Sequence, residues 1–291
     1  MNTNARPGMN ANTSTSASAS SPHPLQAWEG ALPTAMGQCF PGERTVFRGA
    51  DLHGQLHDDD FALDWMDLYA FGISGRRFSP PQLSVLHTLW TCTSYPDARL
   101  WNNRVAALAG SARSTATLAI AAGIAASEAT IFGWQPVMGV ADFLQRAQAA
   151  LDGGAALADI VSAELAQHRH IGGYGRPVAT LQADERIVHV EALLAAHGIA
   201  QGPYVQLAFA VERELLALGR PLRMNYAPLL AAVPLDFGFT LDQLHLFITP
   251  SLMAGMPPCY LEARARPPGA TFALRCDRLA YHGPAPRTWQ D

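Results

Sequence analysis

From Leu25 onward, apolar side chains recur at intervals of three and four in alanine- and leucine-rich stretches broken by glycine and proline. That spacing lines one face of a 3.6-residue turn, and runs alternating with a period of two are few, so the pattern predicts an all-α fold. Helices are expected over 141–151, 155–167, 184–197 and 204–218, the last closed by Gly219 ahead of a proline. Residues 104–133 are rich in alanine and nearly without charge. Such a stretch suits a helix buried on most sides, at the hydrophobic centre or at a dimer seam. Residues 1–24 are mostly Ser, Thr, Ala and Asn, which bury too little apolar surface to offset the entropy of ordering, and are expected to form a disordered tail.

Composition narrows the function classes. A chain of 291 residues, 49% hydrophobic, can bury a sizeable core. Its 20 basic residues against 24 acidic ones give a net charge of −4, so there is no uniform basic field to hold a nucleic acid. The positive charge is carried by arginine, the side chain best matched to carboxylates and phosphates. Cys39, Cys92, Cys259 and Cys276 are scattered, with no metal-binding or redox spacing, so no metal is expected and a reducing cytoplasm fits best. Neither a run of about 18 apolar residues nor a signal-peptide layout is present, which argues against a membrane partner.

Between the second and third expected helices lies His170-Ile171-Gly172-Gly173-Tyr174-Gly175-Arg176-Pro177. Its glycines permit positive φ or a close backbone approach, so the loop can wrap a ligand or simply turn the chain. Gly173 to Val178, followed by Asp184-Glu185-Arg186 at a helix start, resembles the GFGHRV or GFGHPV segment and subsequent DPR of the citrate synthase and citryl-CoA lyase superfamily. RTVFRGADL at 44–52 is similar to that superfamily's R-x-RGYDL, 102–107 to its STFxARVVAS helix, and 278–284 to its RPRxxYxGP terminus. The four matches follow the superfamily's order along the chain.

This resemblance implies a helical homodimer, with a large domain over 25–140 and 235–291 and a small helical domain over 141–234 that closes on the substrate. It also implies joining or splitting an acyl-CoA and a 2-oxo acid. In that reaction a carboxylate removes a proton from the acetyl methyl, one histidine stabilises the enol oxygen and a second polarises the ketone. Here Arg176 stands at the second histidine's place, 133–142 contains no histidine where the first belongs, Ala227 replaces the aspartate, and Ser94 replaces a histidine that helps hold the oxo acid.

Arg186 matches the arginine that pairs with the acid's carboxylate, and Arg278 or Arg275 the arginine that reaches across the dimer. The implied set is therefore Arg186, Arg278, Ser94 and Asn225 for the acid, and Gly173, Tyr174 and Gly175 for coenzyme A. Arg176, His170 and Asp97 are the catalytic candidates, with His168, Tyr95, Asp236 and Cys92 nearby. Arg176 can donate but cannot exchange a proton near neutral pH, and beside Arg186 it would favour a di- or tricarboxylate. No cofactor is expected to be permanently bound; a coenzyme A thioester would be a co-substrate. The expected function is carbon–carbon bond formation or cleavage on a non-standard site. The alternative is a non-catalytic homologue that binds a CoA ester or carboxylic acid as sensor or partner subunit.

Overall fold

The computed structural model describes residues 30, 34–54, 64–175, 183–270 and 276–289. The expected tail at 1–24 and the candidate Arg176 lie outside the described residues. Eleven α-helices among the described residues carry the fold, preceded by a small sheet that the periodicity did not predict. Strands β1 (Gly37–Phe40), β2 (Arg44–Phe47) and β3 (Ala50–Asp51) pair antiparallel in that order. The turn between β2 and β3 is Arg48-Gly49, both at positive φ, which is the geometry that keeps a two-residue hairpin twisted with its strands. Arg48 then donates twice to the Gly72 carbonyl and fastens the sheet to helix α1 (Trp65–Ser74).

Helix starts follow from capping. Asp64 accepts from the Asp67 amide at the start of α1, and Ser79 with Gln82 forms a capping box ahead of α2 (Pro80–Thr93). The alanine-rich segment is two helices rather than one: α3 (Trp101–Ser111) stops, Arg113 turns through φ 65°, and Thr115 caps α4 (Ala116–Ser127). Thr115 is the break, because its side chain accepts from the Leu118 amide and begins a new helix.

Nor is this segment buried on most sides in one chain. On α4, Ala119, Gly123 and Ser127 face inward, while Leu118 is 64% exposed. Helices α3 and α4 pack with α11 (Met256–Ala265) around Ala106, Ala119, Met256 and Tyr260. The approach is close enough that a Cβ on Gly110 would sit 2.5 Å from the Tyr260 carbonyl oxygen.

The hydrophobic centre lies elsewhere. Helix α5 (Trp134–Asp152), α8 (Pro203–Ala217) and α10 (Leu241–Ile248) pack around α9 (Ala227–Asp236), whose residues from Pro228 to Leu235 are all buried. Helices α6 (Leu157–His168) and α7 (Ile187–Ala196) complete the set close to their expected positions. The domain boundaries expected at 141 and 234 fall within α5 and α9 respectively, and one continuous core includes Met66, Leu144, Leu215 and Phe247. No helix of the described residues is long and apolar enough to cross a membrane.

One buried carboxylate stands apart. Asp67 on α1 is fully buried, neither of its oxygens receives a hydrogen bond among the described residues, and Arg77 Nη2 lies 3.3 Å from Oδ2. Burial raises its carboxyl above the ordinary range, partly opposed by Arg77. A raised acid makes its full contribution to stability below the unfolded-state value and loses it as pH rises through the folded value. Asp67→Asn should therefore be more stable than the wild type at pH 7, with the difference vanishing as the pH falls toward 4. Denaturant titrations across that range check the sign.

Candidate active site

Four stretches far apart in sequence meet around one cavity of about 330 Å³. The end of α2 brings Thr93 and Tyr95; the approach to α5 and its first turn bring Ile131, Phe132, Gly133, Trp134, Pro136 and Val137; the residue before α7 is Arg186; and the start of α9 brings Asn225, Tyr226, Ala227 and Leu230. Leu100 and Leu252 close the wall. Gly133, at φ 91°, allows α5 to begin here, because a Cβ at that position would overlap the Ser127 carbonyl.

Arg186 is the cation of this cavity among the described residues. Its Nε and Nη2 donate to the two carboxylate oxygens of Asp184 at 2.8 and 2.7 Å, and its guanidinium lies 4.6 Å from the centre of the Tyr226 ring. Asp184 is fully buried and Arg186 one-quarter exposed. Burial works against the guanidinium charge, but the paired carboxylate outweighs it, so Arg186 is held even more firmly protonated. Spacing explains the pair: two residues apart just before α7, the side chains close a two-pronged bond that fixes the planar fork.

Tyr226 is buried, donates to the Leu89 carbonyl at 3.2 Å and has its hydroxyl pushed well above the ordinary range by burial. Neither a carboxylate nor an imidazole lines the cavity among the described residues.

Solved structures share this arrangement of helices. The citryl-CoA lyase of Hydrogenobacter thermophilus matches with a TM-score of 0.76 at 18% identity, over 88% of this chain and 96% of that one. ATP citrate lyase of Methanothrix soehngenii, in complex with citrate and coenzyme A, matches with a TM-score of 0.72 at 14% identity, over 98% of this chain and 47% of its own. The citrate synthase of Thermotoga maritima gives 0.59 at 16% identity, over 78% of this chain and 60% of that one. The fold is that of citrate synthase and citryl-CoA lyase. No family model and no curated protein matches the chain by sequence.

Within the citrate synthase fold, the stretches expected to have lost their catalytic residues do converge. Ala227, Tyr95 beside Ser94, and Trp134, Pro136 and Val137 from the histidine-free stretch all line the cavity, as does Arg186. Asn225 lines it as well, but its side chain is already engaged: the amide donates to the Gly175 carbonyl and its oxygen accepts from the Ala227 amide. Ser94 is likewise occupied, accepting from the Gly255 amide at 2.7 Å.

Other expected site residues stand apart from the cavity lining. Asp97 pairs with Arg99 at 2.6 Å, and hydrogen bonds from Arg99 hold its carboxyl below the ordinary range. His170 is exposed just beyond α6, and Arg278 is exposed in a 3-10 turn (Cys276–Arg278). Asp236 instead anchors α8, accepting from the Tyr204 and Val205 amides.

The described part of the glycine loop is stitched into the fold. Tyr174 is buried and donates to the Ala208 carbonyl, Gly175 donates to the Arg223 carbonyl, and the Gly173 carbonyl accepts from Asn225. Gly173, at φ 84°, is glycine because a Cβ would meet the Pro228 ring at 2.5 Å. Its close approach is thus to α9.

Sequence reasoning overlooked Tyr226 as the platform under Arg186 and Trp134 as a wall. The only sequence signal for either was an aromatic side chain beside a stretch already under suspicion. Asp184→Asn keeps the shape of the pair and removes its charge. It should lower unfolding stability by about 2 kcal/mol, the scale of hydrogen bonds to charged groups, and equilibrium denaturation measures this.

Proposed function

We propose that this protein binds a carboxylic acid and a coenzyme A thioester in a citrate synthase-type cavity, without the acid–base pair that ordinarily joins or splits them. The observation that carries this reading is the lining itself: Arg186, braced by Asp184 and Tyr226, offers a fixed cation to a carboxylate, while no carboxylate or imidazole faces it among the described residues. Arg186 donates to Asp184 through Nε and Nη2, which leaves Nη1 as the group positioned to donate to an incoming acid. Removing a proton from an acyl methyl requires a base near the reacting carbon, and each acid–base group contributes about 10²–10⁴-fold.

A second reading, carbon–carbon bond formation or cleavage, is favoured by the match over 96% of a citryl-CoA lyase chain. In that case the base must come from residues outside those described or from a second subunit. We assign the latter a place on α4, where Leu118 of one chain would pack against a second copy, with Arg278 reaching toward the partner's cavity. Small side chains such as Ala122 and Ala125 on the same exposed surface permit the close helix approach that a homodimer requires.

Two measurements test these readings. Incubation with acetyl-CoA and oxaloacetate, and separately with citryl-CoA, should give product at the uncatalysed rate while calorimetry detects binding. Sustained turnover abolished by Arg186→Gln would establish the enzymatic reading instead. Light scattering at micromolar concentration should give twice the mass of one chain, and Leu118→Asp should shift it to the monomer; a monomeric wild type removes the dimer.

A further inference from the structure

We infer, resting on the carboxylate-site reading above, that the acid taken by this cavity is a monocarboxylate with an aromatic or branched apolar body, not a di- or tricarboxylate. Few polar groups of the wall remain open to a ligand, and only one of them is charged. The Asn225 amide is engaged at both ends, with Gly175 and Ala227. Thr93 donates to the Leu89 carbonyl at 2.7 Å, and Tyr226 donates to the same carbonyl. What remains among the described lining side chains is the outer edge of Arg186, the hydroxyl of half-exposed Tyr95, the indole N–H of Trp134 and the second amide hydrogen of Asn225.

Only Arg186 among them carries a positive charge, which suits one carboxylate. The rest of the wall is mainly apolar and includes Ile131, Phe132, Val137, Leu230, Leu252 and the ring of Trp134, with Trp134 and Leu230 themselves buried. A second carboxylate placed against that surface would lose its water without gaining a cation. Charge balance points the same way. Asp184 already neutralises Arg186, so the first carboxylate brings the local sum to −1 and a second would bring it to −2. Size fits too: an apolar cavity of about 150 Å³ holds benzene, and this one, at about 330 Å³, holds a single ring with its carboxylate-bearing arm.

Calorimetric titration of the wild-type protein with phenylpyruvate, 4-methyl-2-oxopentanoate, oxaloacetate and citrate tests this directly. The two apolar monocarboxylates should bind at least ten-fold more tightly than oxaloacetate or citrate. Arg186→Gln should weaken phenylpyruvate by ten-fold or more. Phenylpyruvate should also change the tryptophan fluorescence of the wild type, and Trp134→Phe should remove that change.

Ala227→Lys, which adds a second cation to the wall without touching Arg186, should narrow the gap in favour of oxaloacetate. If oxaloacetate or citrate binds more tightly than phenylpyruvate and depends on Arg186, the carboxylate site stands and this inference fails. If no acid binds in an Arg186-dependent way, the underlying reading fails with it.

Discussion

Helix α9 sets the terms for the rest of the chain, because it has no face that water can cover. Every side chain from Pro228 to Leu235 is buried, so the helix is stable only when enclosed. Burying one leucine or valine fully contributes about 1.5–3 kcal/mol, and α9 carries several. Helices α5, α8 and α10 are the enclosure. Their apolar stripes face the same axis, which is why one core runs through segments that the resemblance assigned to separate domains. Pro228 lies in the first turn, where its missing amide costs nothing, and its ring fills the space that Gly173 leaves open.

The cavity is a by-product of how that helix begins. Asn225 turns the chain into α9, accepting from the Ala227 amide while donating to Gly175, and this fixes the angle at which Tyr226 and Ala227 meet the open space. Tyr226 is then held from two sides, by the Leu89 carbonyl and by the Arg186 guanidinium above its ring. The site therefore owes its rigidity to hydrogen bonds made within the protein, and its polar residues are largely consumed in building it. Here the uncommitted surface is mainly hydrocarbon.

How far the sequence disclosed this depends on the range of the interactions. Helices α5 to α8 are long and periodic, and their positions followed from spacing alone to within a few residues, except that α5 begins at Trp134, seven residues before the expected start at Ala141. The convergence of 93–95, 133–137, 186 and 225–227 was readable only through the resemblance, since nothing local connects them. Three strands of four, four and two residues are too short to show an alternating period. The commitments of Asn225 to Gly175 and of Ser94 to Gly255 span 50 and 161 residues. A polar residue at a suspect position therefore looked available when its partner was already waiting elsewhere in the chain. His170 and Asp97 stand outside the cavity lining for a related reason: adjacency in sequence to a suspect segment says nothing about which way the chain has turned.

The pairing of Arg186 with Asp184 also has a kinetic meaning. A lone arginine in a low-dielectric cleft projects a field that draws anions from solution and speeds their arrival, an effect that salt suppresses. At 2.7 Å the two opposite charges cancel beyond their immediate surroundings. An anion bound there as proposed would reach the mouth of the cavity by undirected diffusion, and discrimination would fall to the departure step, where a poorly fitting molecule leaves sooner. Ionic strength should accordingly leave the rate of arrival nearly unchanged, a behaviour opposite to that of anion-binding clefts built on unpaired cations.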